Sequence, residues 1–182
     1  MKQVYVLLSK TGTVCSRVIH GLTGGTYTHA SIALTADTDH FYSYARRVLN
    51  NPLRAGLVTE NIHTFVFARY PESPCALYSI ELSDEAYEKV KRRIDYYMQN
   101  YPRAKYNFVG AIALRMGIRI RREFRLVCSQ FVALMLLESN EVKLPKDPYM
   151  MLPCDFQSIN NIKKIYSGRL KDCRFPVVSV SS

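Results

Sequence analysis

The chain has 182 residues, 48% hydrophobic and 22% charged, with a formal net charge of +10. That length suits one domain spanning residues 1–182 around one core, and the composition excludes a disordered chain. No run approaches the ~18 apolar residues of a membrane span, and the first ten residues read as a strand, not as a signal peptide.

Residues 4–8 are a short apolar run expected to be a buried strand. After a turn at 10–13, Val14, Val18 and Leu22 recur every four residues, which predicts a short helix closed by Gly24-Gly25. Residues 27–34 alternate as a half-buried strand, with His29, Ser31 and Ala33 on one face and Ala30, Ile32 and Leu34 on the other. Residues 41–45 complete a hairpin. Residues 46–61 read as an irregular loop. Residues 64–69 and 77–82 read as two further strands.

Ser83 is placed to cap a helix whose apolar stripe is Ala86, Val90, Ile94 and Met98. Residues 106–116 predict an apolar helix interrupted by Gly110, and 126–138 a helix apolar on nearly every face, which should cross the middle of the fold. The remainder is rich in proline and loops, with a small helix over 155–161. The expected class is α+β, a mostly antiparallel sheet packed against helices.

The five cysteines, Cys15, Cys75, Cys128, Cys154 and Cys173, are widely spaced and form no C-x-x-C pair. That argues against a disulfide framework or a structural zinc site and predicts a reducing, cytoplasmic setting. No metal-ligand cluster, phosphate loop or dinucleotide fingerprint is visible, so no cofactor is expected. The basic residues are scattered, apart from a denser patch at 115–125. No DNA or RNA recognition motif accompanies them, so no specific nucleic-acid partner is expected. An anionic substrate or membrane surface accounts for the charge equally well.

Cys128 stands at the first turn of the central helix, behind the cation-rich run 119–125. The helix dipole and unpaired N–H groups there favour thiolate over thiol, although a free cysteine is also a good small core residue. A cysteine nucleophile needs a base. Of the four histidines, His29 has a strand to fix its ring, whereas His20, His40 and His63 read as surface residues. Tyr5, Tyr27 and Tyr106 read as pocket or core residues. Arg125 could either depress the Cys128 pKa or remain solvated.

Two blocks of sequence resemble the circularly permuted NlpC/P60 cysteine hydrolases, which are related to the lecithin:retinol acyltransferase-like proteins. Gly24-Gly25 followed by Thr28-His29-Ala30-Ser31-Ile32 is similar to their glycine–S/T-H-x-x-I signature. Tyr106-Asn107-Phe108-Val109-Gly110, then Val127-Cys128-Ser129-Gln130-Phe131-Val132-Ala133, resembles their Y-[DN]-x-x-G…C-S-[EQ]-x-V-A block. Histidine precedes cysteine, as in the permuted branch. The resemblance implies a papain-like thiol hydrolase acting on a peptide or acyl-amide substrate through a covalent acyl-enzyme, with Cys128 as nucleophile and His29 as base. It also implies an orienting polar residue on the next strand. Ser43 is the residue in register there, where relatives often carry Glu or His, and Glu60 is the alternative. A thiol acyltransferase or lipid-amide hydrolase, or a non-catalytic binding protein, would use the same framework.

Overall fold

The computed structural model describes residues 1–10, 26–48, 51 and 53–175. Six strands form one sheet: β1 Lys2–Ser9, β2 His29–Ala33, β3 Phe41–Arg46, β4 Ala55–Glu60, β5 Pro74–Leu82 and β6 Ile162–Arg169. Their order is β4-β3-β2-β1-β5-β6, with every neighbouring pair antiparallel. The α+β class expected from the sequence is what the structure has. Four helices accompany the sheet among the described residues: α1 Phe65–Ala68, α2 Asp84–Asn100, α3 Phe108–Arg115 and α4 Cys128–Leu137.

Both faces of the sheet centre are covered, which is why β1 is a continuous apolar run and not an alternating one. Val4, Val6 and Leu8 face one core, which they share with Ile32, Val90, Ile94 and Phe131. Tyr5 and Leu7 face a second core with Phe41, Phe67, Leu77 and Leu170. All five residues of β2 are buried, so the half-buried reading of this strand gives way to one buried on both sides.

Helix α2 starts where expected. The Ser83 Oγ accepts the Ala86 N–H at 3.2 Å, with Asp84 and Glu85 in the first turn. Its buried residues include Ala86, Val90, Ile94 and Tyr97, and Met98, the last of the expected stripe, packs half-buried against the same core. In α4 eight of ten residues are buried, consistent with a helix apolar on all sides passing through the core.

Elsewhere the structure corrects the sequence reading. The predicted loop 46–61 contains β4, paired along its length with β3. The predicted strand 64–69 is the short helix α1, closed by the Ala68 N–H donating to Thr64 O at 3.2 Å, with Val66 and Phe67 buried. The small helix expected at 155–161 is a 3₁₀ turn at Pro153–Ser158, followed by β6 in a segment read as loop. The expected helix over 14–25, with His20 and Cys15, lies outside the described residues.

Gly56 explains how the edge strand β4 is held. A Cβ there would overlap the Ala104 carbonyl, because the chain at 104–106 runs against β4 with the Tyr106 N–H donating to Ala55 O at 2.9 Å. Arg47 closes the same junction, its Nη2 donating to Ala104 O at 2.8 Å and Pro102 O at 2.7 Å. This junction carries the chain from α2 into α3, beside the Cys128 helix.

Candidate active site

Strands β2 and β3 are joined through the single register pair Ile32↔Tyr42. The N-terminus of α4 meets β2 beside this short ladder, where the backbone N–H groups of Ala30 and Ser129 favour the Cys128 thiolate. Cys128 is 4% exposed and hydrogen-bonded to the His29 side chain. The His29 Nε2 lies 2.9 Å from Glu60 Oε2, which leaves Nδ1 for the thiol. Glu60 in turn accepts the Ser43 hydroxyl at 2.6 Å. Cysteine, imidazole, carboxylate and hydroxyl thus form one connected series drawn from α4, β2, β4 and β3.

The registers explain the convergence. Phe41 pairs with Glu60 and Ser43 with Val58, so Phe41, Ser43, Val58 and Glu60 project from one face of the sheet. His29 projects from the same face of β2, where the Phe67 ring of α1 lies 6.1 Å from the imidazole, centroid to centroid. Phe65 opens α1 with a left-handed φ of 52°, a strained conformation for an aromatic residue. It lines, with Glu60 and Arg46, a cleft of about 440 Å³.

The electrostatics follow from burial and contact. Burial alone would push the His29 pKa down, but the Glu60 carboxylate and the hydrogen bond to Cys128 outweigh it and hold the imidazole well above its ordinary value of 6.5. Burial would raise the Cys128 thiol, yet the His29 hydrogen bond and charge, with the two backbone N–H donors, bring it below its ordinary value of 9.0. Each group stabilises the charged form of the other. Thiolate and imidazolium are therefore the favoured pair, with Glu60 behind the imidazolium.

The motif residues around Cys128 hold its helix in place. Gln130 Oε1 accepts the Val127 N–H at 3.1 Å while its Nε2 donates to Tyr149 O at 2.9 Å. The Ser129 hydroxyl donates to Met151 O at 2.6 Å. Asn107 caps α3 by accepting the Gly110 N–H at 2.9 Å, and its own N–H donates to Leu126 O at 3.1 Å, two residues before Cys128. A Cβ at Gly110 would overlap the Asn107 amide, so this glycine lets the cap close. Thr28, Tyr106, Leu114, Val127, Leu152 and Pro153 line a hollow of about 20 Å³ against Cys128, about the size of one water.

Of the residues predicted for the site, His29 and Cys128 are in direct contact. Ser43 lies beside them, but its hydroxyl donates to Glu60, and Glu60 contacts the imidazole. The serine is too short to take the place of the longer acid. His40 and His63 are exposed, as expected, with His40 Nδ1 2.9 Å from Asp37 Oδ2. Tyr106 lines the hollow, while Tyr5 and Tyr27 belong to the two cores. Arg125 is exposed. The described cysteines, Cys75, Cys128, Cys154 and Cys173, are free thiols. Among the described residues no group of three or more His, Cys, Asp or Glu side chains is placed to hold a metal ion. No protein family and no curated protein matches this chain.

Proposed function

We propose that the protein is a thiol hydrolase of papain-like, circularly permuted NlpC/P60 type, cleaving an amide bond in a peptide or acyl-amide substrate. The observation that carries this reading is the Cys128–His29–Glu60 series, with the sulfur at a helix N-terminus and the carboxylate behind the imidazole. The Cys128 thiolate adds to the substrate carbonyl carbon, and the carbonyl oxygen becomes an oxyanion. The Cys128 backbone N–H, at the first helical position where no intrahelical acceptor exists, is a donor for that oxyanion. The imidazolium of His29 protonates the leaving amine as the C–N bond breaks, leaving an acyl thioester and a neutral imidazole. Water, deprotonated by that imidazole, then adds to the thioester. Collapse expels the Cys128 sulfur, returning acid product, thiolate and imidazolium.

A serine beside the imidazole would favour a binding protein without turnover, because a hydroxyl cannot balance an imidazolium charge. Glu60, 2.9 Å from the imidazole, supplies a carboxylate there, and that supports the catalytic reading over the binding one. An acyltransferase follows from the same steps if an amine or alcohol replaces water, but a lipid acyl chain needs a long apolar groove, and the hollow at Cys128 has about the volume of one water.

The test is iodoacetamide alkylation against pH, read at each cysteine by mass spectrometry, in wild type and His29→Ala. Cys128 should titrate below the reference ~8.5 in the wild type and move towards it in the variant. If Cys128 alkylates no faster than Cys173 at every pH, and His29→Ala changes nothing, the catalytic reading fails.

A further inference from the structure

Most of the excess charge of the protein falls in the stretch of chain that leads from the end of α2 to the Cys128 helix. Residues 101–125 contain seven arginines and lysines against one acid, Glu123, a local net charge of +6 out of the +10 of the chain. Outside this stretch, Asp147 reaches Arg119 at 2.9 Å and Arg121 at 3.4 Å, offsetting one of these charges. The same stretch exposes large apolar side chains: Val109 is 58% exposed, Ile112 54%, Met116 70% and Ile118 50%. On α3 and its C-cap, Val109, Ile112 and Met116 are spaced by three and four, so they form one outward stripe. Gly117 then turns the chain with φ 72°, and the Ile118 N–H returns to Ala113 O at 2.8 Å, setting Ile118 at the end of the helix. A different side of α3, through Ala111, Leu114 and Arg115, lines the hollow at Cys128.

We propose that α3 and the arginine-rich turn after it dock the protein on an anionic lipid bilayer, with the stripe in the acyl boundary and the cations among the headgroup phosphates. The combination selects this partner. Nucleic acid would take the cations but offers no apolar phase for Val109, Ile112 and Met116, whereas a bilayer interface offers both within the depth of one helix. No helix among the described residues is long and apolar enough to cross a membrane, so the contact is one that lies on the surface. The surface is independent of the chemistry proposed at Cys128.

The experiment is co-sedimentation of the full chain with vesicles of phosphatidylcholine alone or with about 30 mol% phosphatidylglycerol, a lipid that supplies the negative surface potential. The wild type should partition at least about tenfold better onto the anionic vesicles and lose that preference in about 0.5 M salt. Val109→Ser/Ile112→Ser/Met116→Ser should lower partitioning by about tenfold or more, since each serine removes apolar area from the buried face. Arg121→Gln/Arg122→Gln should lower it about fivefold per charge. Lys163→Glu/Lys164→Glu, a larger charge change on exposed residues of β6, should leave it unchanged. Cys128→Ala should bind as the wild type does, which separates docking from catalysis. These substitutions except Cys128→Ala fall on exposed or rim positions, and circular dichroism checks that each variant is folded. Equal partitioning on both vesicle types, an unchanged stripe variant, an equal loss in the β6 control, or displacement from vesicles by duplex DNA would each overturn the proposal.

Discussion

Glu60→Gln isolates the charge behind His29 while keeping the size of the side chain. The wild-type contact is 2.9 Å between side chains only 10% and 11% exposed. With charge centres roughly 4 Å apart and an effective dielectric near 20, the attraction is about 4 kcal/mol before desolvation is counted. An opposite charge at such range typically moves a pKa by about 1–3 pH units. The sign is fixed by the coupling. Without the carboxylate, His29 gives up its proton at a lower pH, and the thiol, deprived of its imidazolium, gives up its proton at a higher pH. The pH profile of kcat/KM on an acyl-amide or activated ester should therefore narrow from both sides, the acid limb rising and the alkaline limb falling. The maximum should drop by about 10²-fold. Alkylation of Cys128 should show the same rise of the acid limb without any substrate. A variant whose two limbs stay in place, whatever its rate, would show that Glu60 does not set the charge state of the pair.

Two further substitutions test the parts around this centre. Ser43→Ala removes a hydroxyl donor to a carboxylate from a fully buried position, so it should cost about 1.5–3 kcal/mol in denaturant unfolding and, with the carboxylate charge still present, move the alkaline limb by less than Glu60→Gln does. A larger displacement than that of Glu60→Gln would reverse the order of the series. Gly110→Ala should gain helix propensity but force the Asn107 cap open, for a net loss of about 1–2 kcal/mol, and should slow Cys128 alkylation because Asn107 is tied to Leu126.

What could be read from sequence was what local pattern controls. The central helix is apolar on nearly every face and needs no partner to be recognised; the pattern opened it at Leu126 with Cys128 in the first turn, and the helix itself begins at Cys128. The face of β2 that carries His29 follows from alternation alone. Glu60 could be named only as an alternative, because its strand carries a glycine and ends on polar residues. The signs that 55–60 is a strand lie elsewhere in the chain, in the Arg47 guanidinium and the backbone at 104–106 that runs against Gly56. Alternation also put Ser43 on the correct face of β3. It could not say that the neighbouring strand would present a longer side chain at the imidazole. β6 was missed for a related reason: exposed along most of its length, it has little apolar periodicity and is defined by its pairing with β5.

The short motifs divide the work between chemistry and support. In the run Cys128-Ser129-Gln130 only the first side chain faces His29. The other two bind the carbonyls of Met151 and Tyr149, so the first turn of α4 is fixed from outside the helix. In Tyr106-Asn107-Phe108-Val109-Gly110, Tyr106 lines the hollow while Asn107 and Gly110 join α3 to the strand-like approach at Leu126. The Cys128 thiolate is favoured by the His29 side chain and by the backbone N–H groups of Ala30 and Ser129 together, so its pKa depends on where the first turn of α4 is held. Changes at the supporting residues should therefore alter the reactivity of Cys128 through the position of its helix. Loss of Gly110 or Gln130 should act first on the thiolate, through the geometry of α4, and only then on turnover.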